Sequence, residues 1–436
     1  MNKLTDMKKR IESVQPIEKS GRITQLIGLT IKARGPRVCL GELCSVTTAK
    51  GQELILEAVG FNQEECLFMP LGETTDLAPG CVVKALNQQL SVNASNELLG
   101  RVLNGLGEPI DGLGPINGKP FPIQQNAPNP LQRENISEAL SVGVKVIDGA
   151  LTCGKGQRLG IFAGSGVGKS TLLGMMAKNT KADINVIGLI GERGREVKKF
   201  MEEELGEEGL KKSVVVVATS DQPPLIRIKA AFVTTAIAEY FCNQGKDVLL
   251  MMDSLTRFAM AQREIGLAIG EPPATKGYTP SVFSMLPRLL ERAGNFTKGS
   301  ITGFYTVLVE GDDTSEPVTD AARGILDGHI MLSRQVAAQN HYPAVDVLNS
   351  VSRVMDDIVS DQHKLAAQRL KKTLANYYQS KDLIDIGAYK KGSNKEIDFA
   401  LKYIAKCNEF LQQSVSEAYS YEETATQLLE LFEDVK

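Results

Sequence analysis

Three patterns of apolar positions succeed one another along the chain. From residue 21 to 93 they fall in short, partly alternating runs: Ile23, Ile27, Leu29 and Ile31, then ELILEAVGF, CLFMP and CVVKAL. Gly35-Pro36 and Pro79-Gly80 punctuate these runs as turns. Several short strands in so small a segment predict a small β-barrel. From about Val144 to Val309 the pattern changes to unbroken apolar runs, RLGIFA, INVIGLI, SVVVVAT, DVLLMM and SITGFYTVLV, separated by helix-like stretches. Strands covered on both faces need both faces apolar, so this segment predicts an α/β core with a parallel sheet. Between barrel and core, the Pro-rich stretch KPFPIQQNAPNP (119–130) predicts an extended connector. After about Met355 the strands stop. Leu370, Leu374, Tyr377 and Tyr378 mark one amphipathic helix and Leu428, Leu429, Phe432 and Val435 another, so the C-terminal part predicts a helical domain.

Residues 1–20 stand apart. Leu4, Met7, Ile11 and Val14 fall near helical spacing among Lys3, Lys8, Lys9 and Arg10. Two readings stay open: a frayed terminal helix, or a helix that docks on a partner or an acidic lipid surface. The resulting domain scheme is 1–20, 21–93, 94–355 and 356–436.

Composition narrows the function classes. Lys+Arg number 49 against Asp+Glu 52, a formal charge of −3 over 436 residues, which disfavours a protein that coats nucleic acid. Hydrophobic content of 42% with 23% charged residues excludes wholesale disorder. No uncharged apolar run approaches the roughly 20 residues that span a bilayer. The start, MNKLTDMKKRIESVQP, lacks the apolar core of a signal peptide. Seven cysteines, odd in number and without a C-x-x-C pair, indicate neither a disulfide framework nor a zinc cluster. A cytosolic protein is expected. His329, His341 and His363 have no ligand spacing, and Glu202, Glu203 and Glu204 read as a solvated helix face.

The strongest local signal follows the run RLGIFA: Ala163-Gly164-Ser165-Gly166-Val167-Gly168-Lys169-Ser170-Thr171. Glycines let the backbone turn so that successive N–H groups face phosphate oxygens, and the helix that starts there adds its positive end. In such a loop Lys169 reaches the β/γ-phosphates and the Ser170 hydroxyl ligates Mg²⁺. Ala163 stands where the motif usually has its first glycine, at a strand exit where a methyl group is tolerated. Asp253 ends the run KDVLLMMD, which places a carboxylate beside the metal or at the N-cap of the next helix; both roles can coexist. Glu192 follows INVIGLIG and would emerge on the same rim; a carboxylate there can accept a proton from an attacking water, but its position alone fits a solvated turn better. Arg193 and Arg257 beside these acids could offset γ-phosphate charge.

GIFAGSGVGKST, GERGREV, ATSDQPPL, LLMMDSLTRFAMAQREIGLA, GEPPATKGYTPSVFSMLPRLLERAG, VLVEGDDTSEPVTDAARGILDGHI and YPAVDVLNSVSRVMDD together resemble the ATPases of flagellar and type III protein export, relatives of the α and β subunits of F-type ATP synthases. The resemblance covers nearly the whole chain. It implies a RecA-like P-loop core with an N-terminal barrel and a C-terminal helical domain. It implies ATP/ADP and Mg²⁺ as ligands. Lys169 and Ser170 match the phosphate lysine and magnesium hydroxyl, Glu192 the catalytic glutamate, Asp253 the magnesium-side carboxylate, and Arg193 and Arg257 arginines near the γ-phosphate. Tyr342 matches the aromatic residue that packs on adenine, and Phe410 is expected to close that pocket from the helical domain. Arg353 matches an arginine that projects into the neighbouring subunit's site.

The function implied is ATP hydrolysis in a homohexameric ring that releases and unfolds chaperone-bound cargo at a membrane export gate, flagellar in the first reading. Implied partners are a central stalk protein, the export gate, chaperone–cargo complexes and a negative regulator docking on residues 1–20, with peripheral contact to acidic lipid at the inner face of the cell membrane and no nucleic acid. The alternatives are an injectisome ATPase, a rotary synthase subunit and an RNA-translocating helicase. The helicase needs aromatic stacking platforms. The barrel region offers only Phe61 and Phe68, and the chain has no Trp.

Overall fold

The computed structural model describes residues 18–434 except 49, 75 and 310–314. The expected N-terminal docking segment therefore lies almost wholly outside the described residues, as does Val435. Six strands, β1 (Ser20–Ile27), β2 (Thr30–Arg34), β3 (Glu42–Thr47), β4 (Glu53–Asn62), β5 (Glu65–Pro70) and β6 (Val82–Gln89), close into a barrel in the order β1-β2-β5-β4-β3-β6. Its lumen is filled by side chains, among them Ile31, Val46, Leu56, Phe68 and Val83, as a barrel of this size requires. Phe68 is fully buried there, so of the two barrel aromatics only Phe61 presents a face to solvent.

Two short strands, β7 (Ser91–Ala94) and β9 (Lys119–Pro122), pair antiparallel beyond the barrel. The first residues of the Pro-rich stretch are thus a strand rather than free connector; Pro120 and Pro122 are tolerated because a two-stranded ribbon leaves one side of each strand unbonded. Between them β8 (Val102–Asn104) joins the central sheet.

That sheet has nine strands: β8 with β10 (Arg158–Ala163), β11 (Ile184–Glu192), β12 (Ser213–Thr219), β13 (Asp247–Asp253), β14 (Gly294–Asn295), β15 (Ser300–Leu308), β16 (Gly328–Leu332) and β17 (Val345–Ser352). The order is β17-β16-β10-β15-β13-β11-β12-β8, with β14 pairing only β15. All neighbours on the main path run parallel except β16 and β17. The apolar runs read from sequence are these strands, and their residues are buried almost without interruption. One face is covered by the helix Pro224–Cys242, mostly apolar and buried along nearly its whole length, as a helix inside a large core is.

The helical domain comprises Asp361–Asp385, Lys395–Leu411 and Tyr421–Glu430. Each begins on a side-chain cap, Ser360, Asn394 and Ser420; Ser420 and Glu423 form a reciprocal capping box. Leu370, Leu374 and Leu428 face inward as their spacing predicts, whereas Tyr378 is exposed and Phe432 is buried beyond the last helix end. All seven cysteines are free thiols. Among the described residues no helix is long and apolar enough to cross a membrane.

Candidate nucleotide-binding site

In a parallel sheet, loops after the C-terminal strand ends share one rim. Here β10, β13 and β11 deliver the phosphate-type loop, Asp253 and Glu192 to that rim, with β15 between β10 and β13. The loop leaves β10 at Ala163, which is fully buried and accepts a backbone bond from Val309. Gly166 and Gly168 have φ of +80° and +88°, the left-handed conformations that bring the loop back onto the helix Lys169–Asn179. Ser165, Gly166 and Ser170 are exposed to the open side of the loop, while Val167 plugs into the core beneath it.

Lys169 begins the helix and points across the rim. Its Nζ lies 2.5 Å from Asp253 Oδ1 and 3.6 Å from Glu192 Oε1. Burial opposes its charge, but the two carboxylates hold its pKa above the ordinary lysine range. Asp253 also accepts from the Thr306 hydroxyl at 2.6 Å, so β15 orients the carboxylate that β13 presents. Ser254 caps the following helix by accepting from Arg257 N–H; the N-cap is Ser254, and Asp253 is left for the rim. Burial and the Asp253 charge push Glu192 up to about 7, with Lys169 pulling the other way.

Gly191, at φ +71°, lets the end of β11 lie against Arg257: a Cβ there would sit 2.7 Å from Arg257 Cβ. Arg257 Nε is buried with no hydrogen-bond partner among the described residues, a donor left over at the edge of the site. Arg193 instead turns outward, exposed and 3.4 Å from Glu196.

Tyr342 lies beside the loop. A Cβ on Gly168 would sit 3.6 Å from its ring, and the ring is 43% exposed. Phe410 is not brought to this pocket. It is 4% exposed and packs inward on Gly149, where a Cβ would meet its ring at 2.7 Å, and under the Lys145 ammonium. Its spacing in the helix Lys395–Leu411 turns it to the core, whereas Gln413, just beyond that helix, donates its N–H to the Tyr342 carbonyl.

Arg353 is also away from its own loop. Its N–H donates to the Asp327 carbonyl, and the Asp327 carboxylate grips Arg158 at the first residue of β10. The phosphate-type loop leaves the other end of that strand, roughly 17 Å away at about 3.3 Å per residue. The guanidinium is exposed and donates only to the Arg323 carbonyl among the described residues.

Three features escaped sequence reasoning. Arg334 lies over the loop, where a Cβ on Gly164 would meet its Nε at 2.9 Å. Thr306 orients Asp253. Glu204, expected in a solvated face, accepts from the Thr171 hydroxyl at 2.9 Å and packs on Gly174. A π-helical turn spans Phe200–Leu205, and within it Glu204 faces the helix Lys169–Asn179, which a run of three acids does not reveal. Burial lowers the pKa of each histidine; His329 stands edge-on to Phe162 and donates from Nε2 to the Asn349 carbonyl, and His363 Nε2 donates to the Gly149 carbonyl from a site 2% exposed.

Residues 143–352 match the ATP synthase alpha/beta family, nucleotide-binding domain; residues 23–87 match its beta-barrel domain; residues 359–430 match the C-terminal domain of the T3SS EscN ATPase. The chain is 54% identical to the flagellum-specific ATP synthase of Bacillus subtilis over 97% of each chain. It belongs to the flagellar and type III secretion ATPases of the ATP synthase alpha/beta family. Within that family it is 49% identical to the type 3 secretion system ATPase of Xanthomonas euvesicatoria, over 99% of this chain and 98% of the other. The assembled ATPase EscN of enteropathogenic E. coli, in complex with its central stalk EscO, superposes with a TM-score of 0.88 at 44% identity, over 94% of this chain and 99% of that one. Barrel, RecA-like core and helical domain thus stand in the order that the resemblance implied. The core is the ATP- or ADP-binding domain of an ATPase.

Proposed function

We propose that this ATPase hydrolyses ATP in a ring of identical copies to release and unfold chaperone-bound cargo at a protein export gate. The flagellar system is favoured by the higher identity to the flagellum-specific relative. The observation that carries the hydrolytic reading is one ammonium, Lys169, held between two strand-end carboxylates at the mouth of a glycine loop. In this reading the loop N–H groups of 164–171 and Lys169 hold the phosphates, and Glu192 orients the attacking water and takes its proton. Arg257, with its spare buried donor, faces the γ-phosphate; Arg193, turned to solvent, would have to leave Glu196 to reach it. Tyr342 forms the platform for adenine.

Ser170 and Asp253 supply hard oxygen donors beside the phosphate position, and among the described residues no group of three acidic, His or Cys side chains could hold a metal alone. Such a pair suits Mg²⁺ that arrives with phosphate oxygens and keeps its waters. Bound there, Mg²⁺ would neutralise charge that develops on the phosphates. Arg353, far from its own loop and exposed, would reach the site of a neighbouring copy. A central stalk, a negative regulator on residues 1–20 and contact with acidic lipid at the inner membrane face complete the reading; EscN, with its stalk EscO, supports the first of these.

The test separates two substitutions. Lys169→Ala should lose both hydrolysis and nucleotide binding, because the lysine holds phosphate in the ground state as well as the transition state. Glu192→Gln should still bind ATP and trap it while turnover falls by about 10² or more. Measuring bound nucleotide and phosphate release on both proteins decides the matter, and near-normal turnover in Glu192→Gln would sink the assignment.

A further inference from the structure

One buried residue ties the proposed adenine platform to two other parts of the chain. Gln413, just after the helix Lys395–Leu411, is 5% exposed. Its backbone N–H donates to the Tyr342 carbonyl at 3.0 Å. Its side-chain carbonyl accepts from Lys145 N–H at 2.8 Å. Its side-chain amide donates to the carbonyls of Gly143 at 2.9 Å and Glu417 at 3.0 Å. Both amide hydrogens are used, and the flipped orientation would set an N–H against an N–H and an oxygen against two carbonyls. The side chain therefore has a single satisfied arrangement. Lys145 is held from its other end, its ammonium 4.7 Å above the Tyr419 ring.

Gln413 thus joins the first turn of the nucleotide-binding domain, the helical domain and the carbonyl of Tyr342. The Tyr342 ring projects from this anchorage toward Gly168, half-exposed. We infer that Gln413 is a positioning residue for the nucleotide base, fixing Tyr342 relative to the phosphate loop and setting base affinity by the placement of the helical domain. The inference rests on the proposed adenine role of Tyr342. It predicts a selective effect, because the phosphate loop, Lys169, Glu192 and Asp253 are held by other bonds.

The test compares ATP hydrolysis with inhibition by inorganic tripolyphosphate, which has no base, using the full chain with Mg²⁺. Gln413→Ala removes the three side-chain bonds that hold the Gln413 backbone against Tyr342, and should raise the KM for ATP about fivefold to tenfold. It should leave kcat and the tripolyphosphate inhibition constant within about twofold. Tyr342→Ala should show the same selectivity, and adding Gln413→Ala to it should change KM little further, because the two act as a unit. If Gln413→Ala proves too unstable in a thermal melt, Gln413→Glu keeps the shape and the Lys145 bond while losing both donated bonds, and the same selectivity is expected of it. Should Tyr342→Ala weaken ATP and tripolyphosphate alike, the adenine reading itself fails. If Tyr342→Ala is selective but the Gln413 variants weaken both ligands equally, change neither, or add fully to Tyr342→Ala, Gln413 is a structural residue only and the inference is overturned.

Discussion

Asp148 shows how much a single carboxyl can hold. It is 1% exposed and accepts from the Ser141 hydroxyl at 2.7 Å and from the N–H groups of Val142 and Gly143 at 3.0 Å. Burial nevertheless dominates these bonds and pushes its pKa up to about 6. The folded state thus binds a proton that the unfolded chain has released, so this carboxyl stabilises the fold fully below its ordinary value near 4 and loses that contribution as pH rises through about 6. A shift of about two units corresponds to something on the order of 3 kcal/mol. Denaturant unfolding from pH 4 to 7 should show wild-type stability declining relative to Asp148→Asn across that window. Parallel pH profiles for the two proteins would refute this. Residues of this kind were illegible in the sequence, as were Thr306, Arg334 and Gln413, because each acts through partners brought to it by tertiary packing. Lys169 and Ser170 were legible because loop, lysine, hydroxyl and helix are contiguous. Asp253 and Glu192 were legible through their place at strand ends, although only the resemblance favoured a catalytic Glu192 over a solvated turn.

At the scale of elements, barrel and core are joined by a buried ion pair between β4 and the helix Pro224–Cys242. Lys229 Nζ meets Glu57 at 2.5 Å, with the two side chains 4% and 6% exposed. Burial drives the Glu57 pKa upward and Lys229 opposes it. Removing one partner strands the other away from water. Lys229→Met should therefore cost about 3–5 kcal/mol, and the double variant with Glu57→Gln should recover a substantial part of it. Thermal melts of the single and double variants check this; equal melting temperatures for both would mean that the ion pair contributes nothing to the joint. The element pattern itself was readable, because unbroken apolar runs can only be strands or helices covered on both sides. The exceptions are places where packing overrode local rules: the strand Lys119–Pro122 within a Pro-rich stretch, and the π-helical turn that contains Glu204.

For the molecule as a whole, the decisive geometry is that Lys169 and Arg353 lie at opposite ends of β10. If Arg353 acts on a neighbour, Lys169→Ala and Arg353→Ala proteins should each be nearly inactive alone, and activity should return on mixing, where intact loops meet intact arginines. A trans arginine is worth about 10³–10⁵ in rate in comparable phosphoryl transfers, so the recovery should be large. Wild-type specific activity should also rise with protein concentration as rings form. A flat mixing curve from proteins shown to co-assemble would exclude the trans role.

The same separation has a genetic meaning. If Arg353 acts on a neighbour, each copy supplies a phosphate cradle to one interface and an arginine to the next, and so belongs to two sites at once. A chain that lost both residues but still assembled would silence its own pocket and disarm the one beside it. In a ring that closes head to tail, a minority of such chains would remove activity well beyond its share, so the defective allele would be dominant over the sound one in the same cell.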